Sequence, residues 1–168
     1  SDATIQIVPF EPCRAAAVLD LVLSIQQHEF GLPVSAGSQP DLADIPRSYQ
    51  AGHGNFWTAL AAGQVVGTIG LLDIGPGHAA LRKMFVAAPY SGSKHGVAQA
   101  LLTRLLDDAA ARGVRDIFLG TTDKFLAAHR FYEENGFKAV AVETLPPEFP
   151  RMAVDTRFYR LSLSERPA

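Results

Sequence analysis

Apolar and polar positions alternate or recur at helical spacing along most of the chain, and the change of period marks its elements. Ile5-Gln6-Ile7-Val8-Pro9-Phe10 alternates weakly ahead of Pro12 and reads as a first strand. From Pro12 to His28, Val18, Leu21, Val22 and Ile25 recur at helical spacing, with Pro12 suited to a helix start. Phe30-Gly31-Leu32-Pro33 ends that helix and a Gly/Ser loop follows. A short second helix is expected with Asp41 as N-cap and Leu42, Ile45 and Tyr49 as its apolar positions. Residues 56–61, 65–72 and 80–86 then read as three strands, joined by short turns at Ala62-Gly63-Gln64 and Gly75-Pro76-Gly77. Residues 96–112 form the strongest helix pattern, with Val97, Leu101, Leu105 and Leu106 in one stripe and Gly113 just past its end. Ile117-Phe118-Leu119-Gly120 is a near-continuous apolar run, as in a strand buried on both faces. Asp123 is placed to cap a further helix ending at Asn135 and Gly136, and residues 137–140 and 157–161 close the chain as strands.

The order β-α-α-β-β-β-α-β-α-β-β predicts an antiparallel meander leading into a strand–helix–strand unit. A right-handed crossover should make the two strands of that unit parallel. The fold class is α+β, or mixed α/β, and not a doubly wound sheet. With 168 residues, no repeat and no linker, one domain spanning 1–168 is expected.

Composition narrows the partners. Fifteen Lys+Arg against 17 Asp+Glu leave a net charge of −2, without the basic surplus of a nucleic-acid binder. No apolar run approaches the roughly 20 residues of a membrane span, and no signal-peptide layout opens the chain, so neither a nucleic acid nor a membrane is expected as partner. Cys13 is the one cysteine, which rules out an internal disulfide and points to a cytoplasmic protein. The five histidines show no paired ligand spacing, so no metal is expected.

The most informative chemistry lies between residues 81 and 98. The strand Leu81-Arg82-Lys83-Met84-Phe85-Val86 feeds a loop, Ser91-Gly92-Ser93-Lys94-His95-Gly96, that opens onto the helix beginning Val97-Ala98. Unpaired amides and the positive end of a helix dipole then face one small volume, an anion site suited to a pyrophosphate. Glycine at 92 and 96 lets backbone approach phosphate oxygens. Taken alone, the same loop also reads as a surface turn before a capped helix, and it matches neither the Walker A loop nor G-x-G-x-x-G.

Residues 81–114 resemble motif A of the GNAT superfamily of acyl-CoA-dependent N-acetyltransferases, and Ala128-His129-Arg130-Phe131-Tyr132-Glu133-Glu134-Asn135-Gly136-Phe137 resembles its motif B. With the element order, the likeness runs from Ile5 to Leu161. It implies a central mixed, mostly antiparallel sheet of about seven strands with helices on both faces and the fourth and fifth strands splayed apart. It implies acetyl-CoA as acyl donor, held along Met84, Phe85 and Val86 and by residues 91–98, with Thr122, Lys124, Ala128 and His129 at the second motif. Three positions depart from the family pattern: Ser93 stands where Arg or Gln is usual, Ala80 where an acidic residue is common, and Phe125 near a frequent Asn.

The implied reaction is direct acetyl transfer to a primary amine of a small molecule, amino acid or peptide in a ternary complex. The alternative is a non-catalytic acyl-CoA sensor. Tyr132 sits where the family often places a proton donor to the CoA sulfur, and its phenol, with a reference pKa of about 10, is protonated at neutral pH. Its rival role is a core aromatic beside Phe131. The base stays open among Glu29, His28, His53, Asp73 and His78. Glu29 and Phe30, at the end of the first helix, are expected on the acceptor side, together with the proline-bounded segment around Glu148. A homodimer is carried by the resemblance alone.

Overall fold

The computed structural model describes residues 4–92 and 94–165. Seven strands form one sheet: β1 (Ile5–Pro9), β2 (Asn55–Ala61), β3 (Gln64–Asp73), β4 (His78–Val86), β5 (Asp116–Thr121), β6 (Lys138–Val140) and β7 (Arg157–Ser162). Four α-helices accompany them: α1 (Ala15–Ser24), α2 (Ile45–Ser48), α3 (Val97–Ala111) and α4 (Leu126–Glu134). The strand order is β1-β2-β3-β4-β5-β7-β6, and every neighbouring pair is antiparallel except β4–β5. The meander and the parallel pair around α3 follow the order read from the sequence.

Each face of the sheet has its own cover. α3 and α4 pack on one face through Leu101, Leu102, Leu105 and Tyr132 against Ile117, Leu119 and Tyr159. Gly67 on β3 makes this contact close, since a Cβ there would lie 3.0 Å from Leu101 Cδ1 and 3.2 Å from Val97 Cγ1. The opposite face carries α1 and α2, with Val18, Val22, Ile45 and Tyr49 on Phe56. Beyond them, Phe149 of the β6–β7 connection packs with Ala80, Phe118 and Phe158.

Two irregularities in the middle of the sheet create the site. β4 and β5 pair only from His78↔Asp116 to Ala80↔Phe118, then part. On its other edge β4 is bulged: Thr68 pairs with Phe85 but Gly70 with Arg82, so Lys83 and Met84 oppose the single Ile69. Lys83 takes φ +56, a left-handed conformation rare outside glycine. Its carbonyl is held there by the Thr68 hydroxyl, which donates to it at 2.6 Å.

Several expected boundaries moved. Asp44, not Asp41, caps α2, its carboxylate accepting from the Arg47 amide at 3.3 Å, while Asp41 is drawn inward by other partners. The first helix turns to π-type hydrogen bonding over Ile25–Glu29, a geometry often found at functional sites. α4 starts at Leu126, with Phe125 and not Asp123 at its N-cap. The Asp123 amide instead donates to the Thr156 hydroxyl at 3.1 Å, tying the β5 exit to β7.

Candidate active site

Where β4 and β5 part, a cavity of about 1250 Å³ opens between them. Its walls come from both faces of the sheet: Ser91, Gly92, Gly96 and Ala98 at the α3 end, and Glu29, Arg82, Phe149 and Asp155 at the other. Met84, Phe85 and Val86 form the β4 edge, Gly120, Thr121 and Thr122 the β5 edge, and Lys124, Ala128 and Tyr132 the α4 side. The π-turn contributes Glu29 and Phe30. A β4 edge without strand partners beyond Ala80 presents its backbone to whatever lies in the gap.

At one end stands the start of α3. Gly96, at φ +66, occupies its N-cap, and the first ladder bond runs from the Ala100 amide to the Gly96 carbonyl at 3.0 Å. The amides of Val97, Ala98 and Gln99 therefore precede the ladder and are free for an anion. Side chains contribute little. Lys94 is exposed and outside the cavity wall, His95 leans on the Tyr90 ring at 5.6 Å between centroids, and the Val97 side chain is in the core. Ser93 lies outside the described residues.

Residues of the second motif divide. Thr122 and Ala128 line the cavity. Lys124 spans its mouth, Nζ donating to the Phe30 carbonyl at 3.2 Å while Phe30 meets Phe125 edge-on at 4.6 Å. His129, expected beside the cofactor, is buried away from the wall. Its Nε2–H donates to the Thr122 carbonyl at 2.9 Å, leaving Nδ1 to accept from Arg157 at 3.4 Å. With both ring nitrogens used to join α4 to β5 and β7, it has no group to offer a phosphate. Arg130 is exposed and lines the cavity.

Tyr132 is both core residue and wall residue. Its ring packs against Phe137 and Tyr159 at centroid distances of 5.6 and 6.0 Å. Burial, helped by the neighbouring Tyr159, pushes its phenol far above the ordinary value of 10.0. It is therefore a hydrogen-bond donor throughout the physiological range.

A buried polar cluster at the bulge was missed in the sequence. Lys83 Nζ donates to Gln39 Oε1 and lies 3.7 Å from Asp41 Oδ2. Gln39 exchanges two hydrogen bonds with Gln26, at 2.8 and 3.1 Å, and Tyr49 donates to Asp41 at 2.5 Å. Arg82 approaches the same carboxylate at 3.9 Å. Burial lowers the Lys83 amine from 10.5 to about 8, against the opposite pull of Asp41. Two adjacent cations in an otherwise apolar strand were the available signal. Of the expected bases, only Glu29 reaches the cavity, and it is exposed. His53 is 3.0 Å from Asp73, and His78 is 3.7 Å from Asp116.

The sheet with its parted strands, and an anion-receptive helix start beside the gap, define an acyl-CoA-dependent transferase fold. A sequence model described as the acetyltransferase (GNAT) family matches residues 19–137. The chain belongs to that family. It is 35% identical over 136 residues to the N-acetylaspartate synthetase of Danio rerio, covering 74% of this chain and 48% of that relative. It thus spans about half the length of the curated relatives it matches. A crystal structure of a GNAT-family acetyltransferase from Staphylococcus aureus Mu50 superposes with a TM-score of 0.92 at 35% identity, covering 95% of this chain and 99% of that one. A PaiA N-acetyltransferase from Thermoplasma acidophilum, in complex with coenzyme A, shares the fold at TM-score 0.74 and 16% identity over 95% of this chain and 99% of that one. Among the described residues no group of three or more His, Cys, Asp or Glu could hold a metal, and no helix is long and apolar enough to cross a membrane.

Proposed function

We propose that the protein moves an acetyl group from acetyl-CoA directly to a primary amine of a small molecule, amino acid or peptide, in a ternary complex. The observation that carries this reading is the single cavity passing between β4 and β5, which joins the amides at the start of α3 to a charged chamber on the opposite face. Pyrophosphate sits on the amides of Val97, Ala98 and Gln99, and the pantetheine arm runs along Met84, Phe85 and Val86. The thioester then reaches the point where the strands part. A backbone N–H of β4 left without a strand partner where β4 and β5 part donates to its carbonyl oxygen as charge develops there. Tyr132, on the α4 side, donates to the departing thiolate. A thiol with a pKa of about 8.5 is already a fair leaving group, so this contribution is modest. Glu29 and Phe30 border the acceptor.

Thermal unfolding with acetyl-CoA, against ATP and NAD as controls, tests the donor. A ligand bound only to the folded state at 100 times its dissociation constant adds about 2.7 kcal/mol, a rise of about 5–10 °C for a chain this long. A shift with acetyl-CoA alone, followed by thiol release in an amine panel, supports the reading. A shift with no transfer to any amine turns it toward a sensor, and no shift overturns it.

A further inference from the structure

On each strand, two residues beyond the last β4–β5 pair stand Arg82 and Gly120, level with each other across the parting and on the face that carries Ala80 and Phe118. Gly120 has no side chain because another occupies its place. A Cβ there would lie 2.6 Å from Asp155 Oδ2 and 2.9 Å from its Cγ. Asp155 comes from the β6–β7 connection, two residues before β7, and accepts from the Met152 amide at 3.0 Å. The adjacent Thr156 amide donates to the Thr121 carbonyl at 2.8 Å, which fixes the loop on β5.

Three carboxylates line the cavity among the described residues: Glu29, Glu134 and Asp155. The first two are exposed, whereas Asp155 is half-buried. Resting on the acetyltransferase reading above, we propose that the Asp155 carboxylate, seated over Gly120 where β4 and β5 part, takes the proton from the acceptor's ammonium group. An ammonium nitrogen cannot attack a carbonyl until its proton leaves. One N–H proton passes to Asp155, and the freed lone pair forms the C–N bond. The C–S bond breaks with its electron pair on sulfur, and Tyr132 protonates the thiolate from the opposite face. The second proton of the attacking nitrogen, made acidic in the tetrahedral adduct, leaves through solvent and restores that of Tyr132, while Asp155 releases its own proton to solvent, so the products are the neutral amide, the CoA thiol and one proton. Burial raises the Asp155 carboxyl above its ordinary 3.8, opposed by the Met152 amide, by Arg82 and Lys83 from β4, and by Arg151 from its own loop. The carboxylate is therefore a stronger base than an exposed one.

The test compares wild type with Asp155→Asn, Asp155→Glu and Gly120→Ala at saturating acetyl-CoA. The acceptors are the alkylamine selected by the panel and aniline, an amine already neutral at pH 7. Asp155→Asn should lower kcat for the alkylamine by about 10²-fold or more, leave KM and the acetyl-CoA thermal shift in place, and shift the acid limb of the pH profile up toward the pKa of the amine itself. Asp155→Glu should recover part of the rate. Gly120→Ala should lose rate by displacing the carboxylate, and aniline should be spared in every variant. Should Asp155→Asn fail to fold, the Gly120→Ala and Asp155→Glu pair decides alone. An acid limb that does not move without the carboxylate, or an equal loss with aniline, overturns the proposal while transferase activity stands. Acetyl-CoA binding with no transfer to any amine overturns the functional reading and this proposal together.

Discussion

Lys83 couples the site to stability, and Lys83→Met exposes the coupling. The side chain is 3% exposed and its amine falls from 10.5 to about 8 on folding. Below pH 8 the amine is charged in both states, so the folded protein carries the full penalty of a buried charge. At 1.36 kcal/mol per tenfold change in proton affinity, that penalty is about 3 kcal/mol at pH 7. Between the two values the unfolded chain binds more protons than the folded one, so stability attributable to this group rises with pH. By pH 10 the penalty is down to about 1 kcal/mol. Methionine keeps the apolar stem and drops the charge, at the cost of the hydrogen bond to Gln39 and the ion pair with Asp41, whose pull is already contained in the lowered value. The expected result is a stability difference, variant minus wild type, that falls by about 2 kcal/mol from pH 7 to pH 10, or about 4–8 °C in Tm. Tyrosines that ionise in this range do so in both proteins and cancel. Urea unfolding at pH 7, 8, 9 and 10 measures the difference directly. A value constant across that range would refute the buried charged amine.

Other perturbations address the rest of the molecule. Tyr132→Phe should retain the acetyl-CoA thermal shift and lower kcat by about 10²-fold or less. Because burial holds the phenol above its ordinary value, the wild-type kcat profile should show no alkaline loss of the donor up to pH 10, checked with an acceptor in excess. Leu101→Ala, at a fully buried position on the sheet-facing side of α3, should cost about 2–5 kcal/mol in urea unfolding with m unchanged. Gly96→Val places a β-branched residue at φ +66 on the cap of α3. It should cost about 1–3 kcal/mol in stability and weaken the acetyl-CoA shift beyond what that loss alone produces.

What was legible in the sequence is what local pattern encodes. The run from Leu81 through the glycines to the Val97–Leu106 stripe fixes strand, loop and helix within one continuous stretch, and the aromatic pair at Phe131 and Tyr132 fixes α4. The acceptor side is assembled from segments far apart in the chain. Asp155 becomes a cavity residue only through the pairing of β7 with β5, and nothing within a few residues of it marks that outcome. Asp41 read as a cap because an acidic residue before an apolar run usually is one. The pull of Lys83, Arg82 and Tyr49 outweighed that local role, and Asp44 took it. His129 fits the second motif by position. Its two ring nitrogens went to structure because α4 needed a bond to Thr122 where no side chain capped its start.

Strand β7 lies between β5 and β6 in space although it is made last. While the ribosome adds the roughly 40 residues from β5 to β7, at about 5–20 residues per second, the Ile117-Phe118-Leu119 edge waits about 2–8 s for its partner. An unpaired apolar edge recruits other chains. Premature termination inside the β6–β7 connection should therefore yield insoluble product rather than an inactive soluble one. A chaperone that shields β5 during that interval should raise the yield of the full-length chain more than one acting after release.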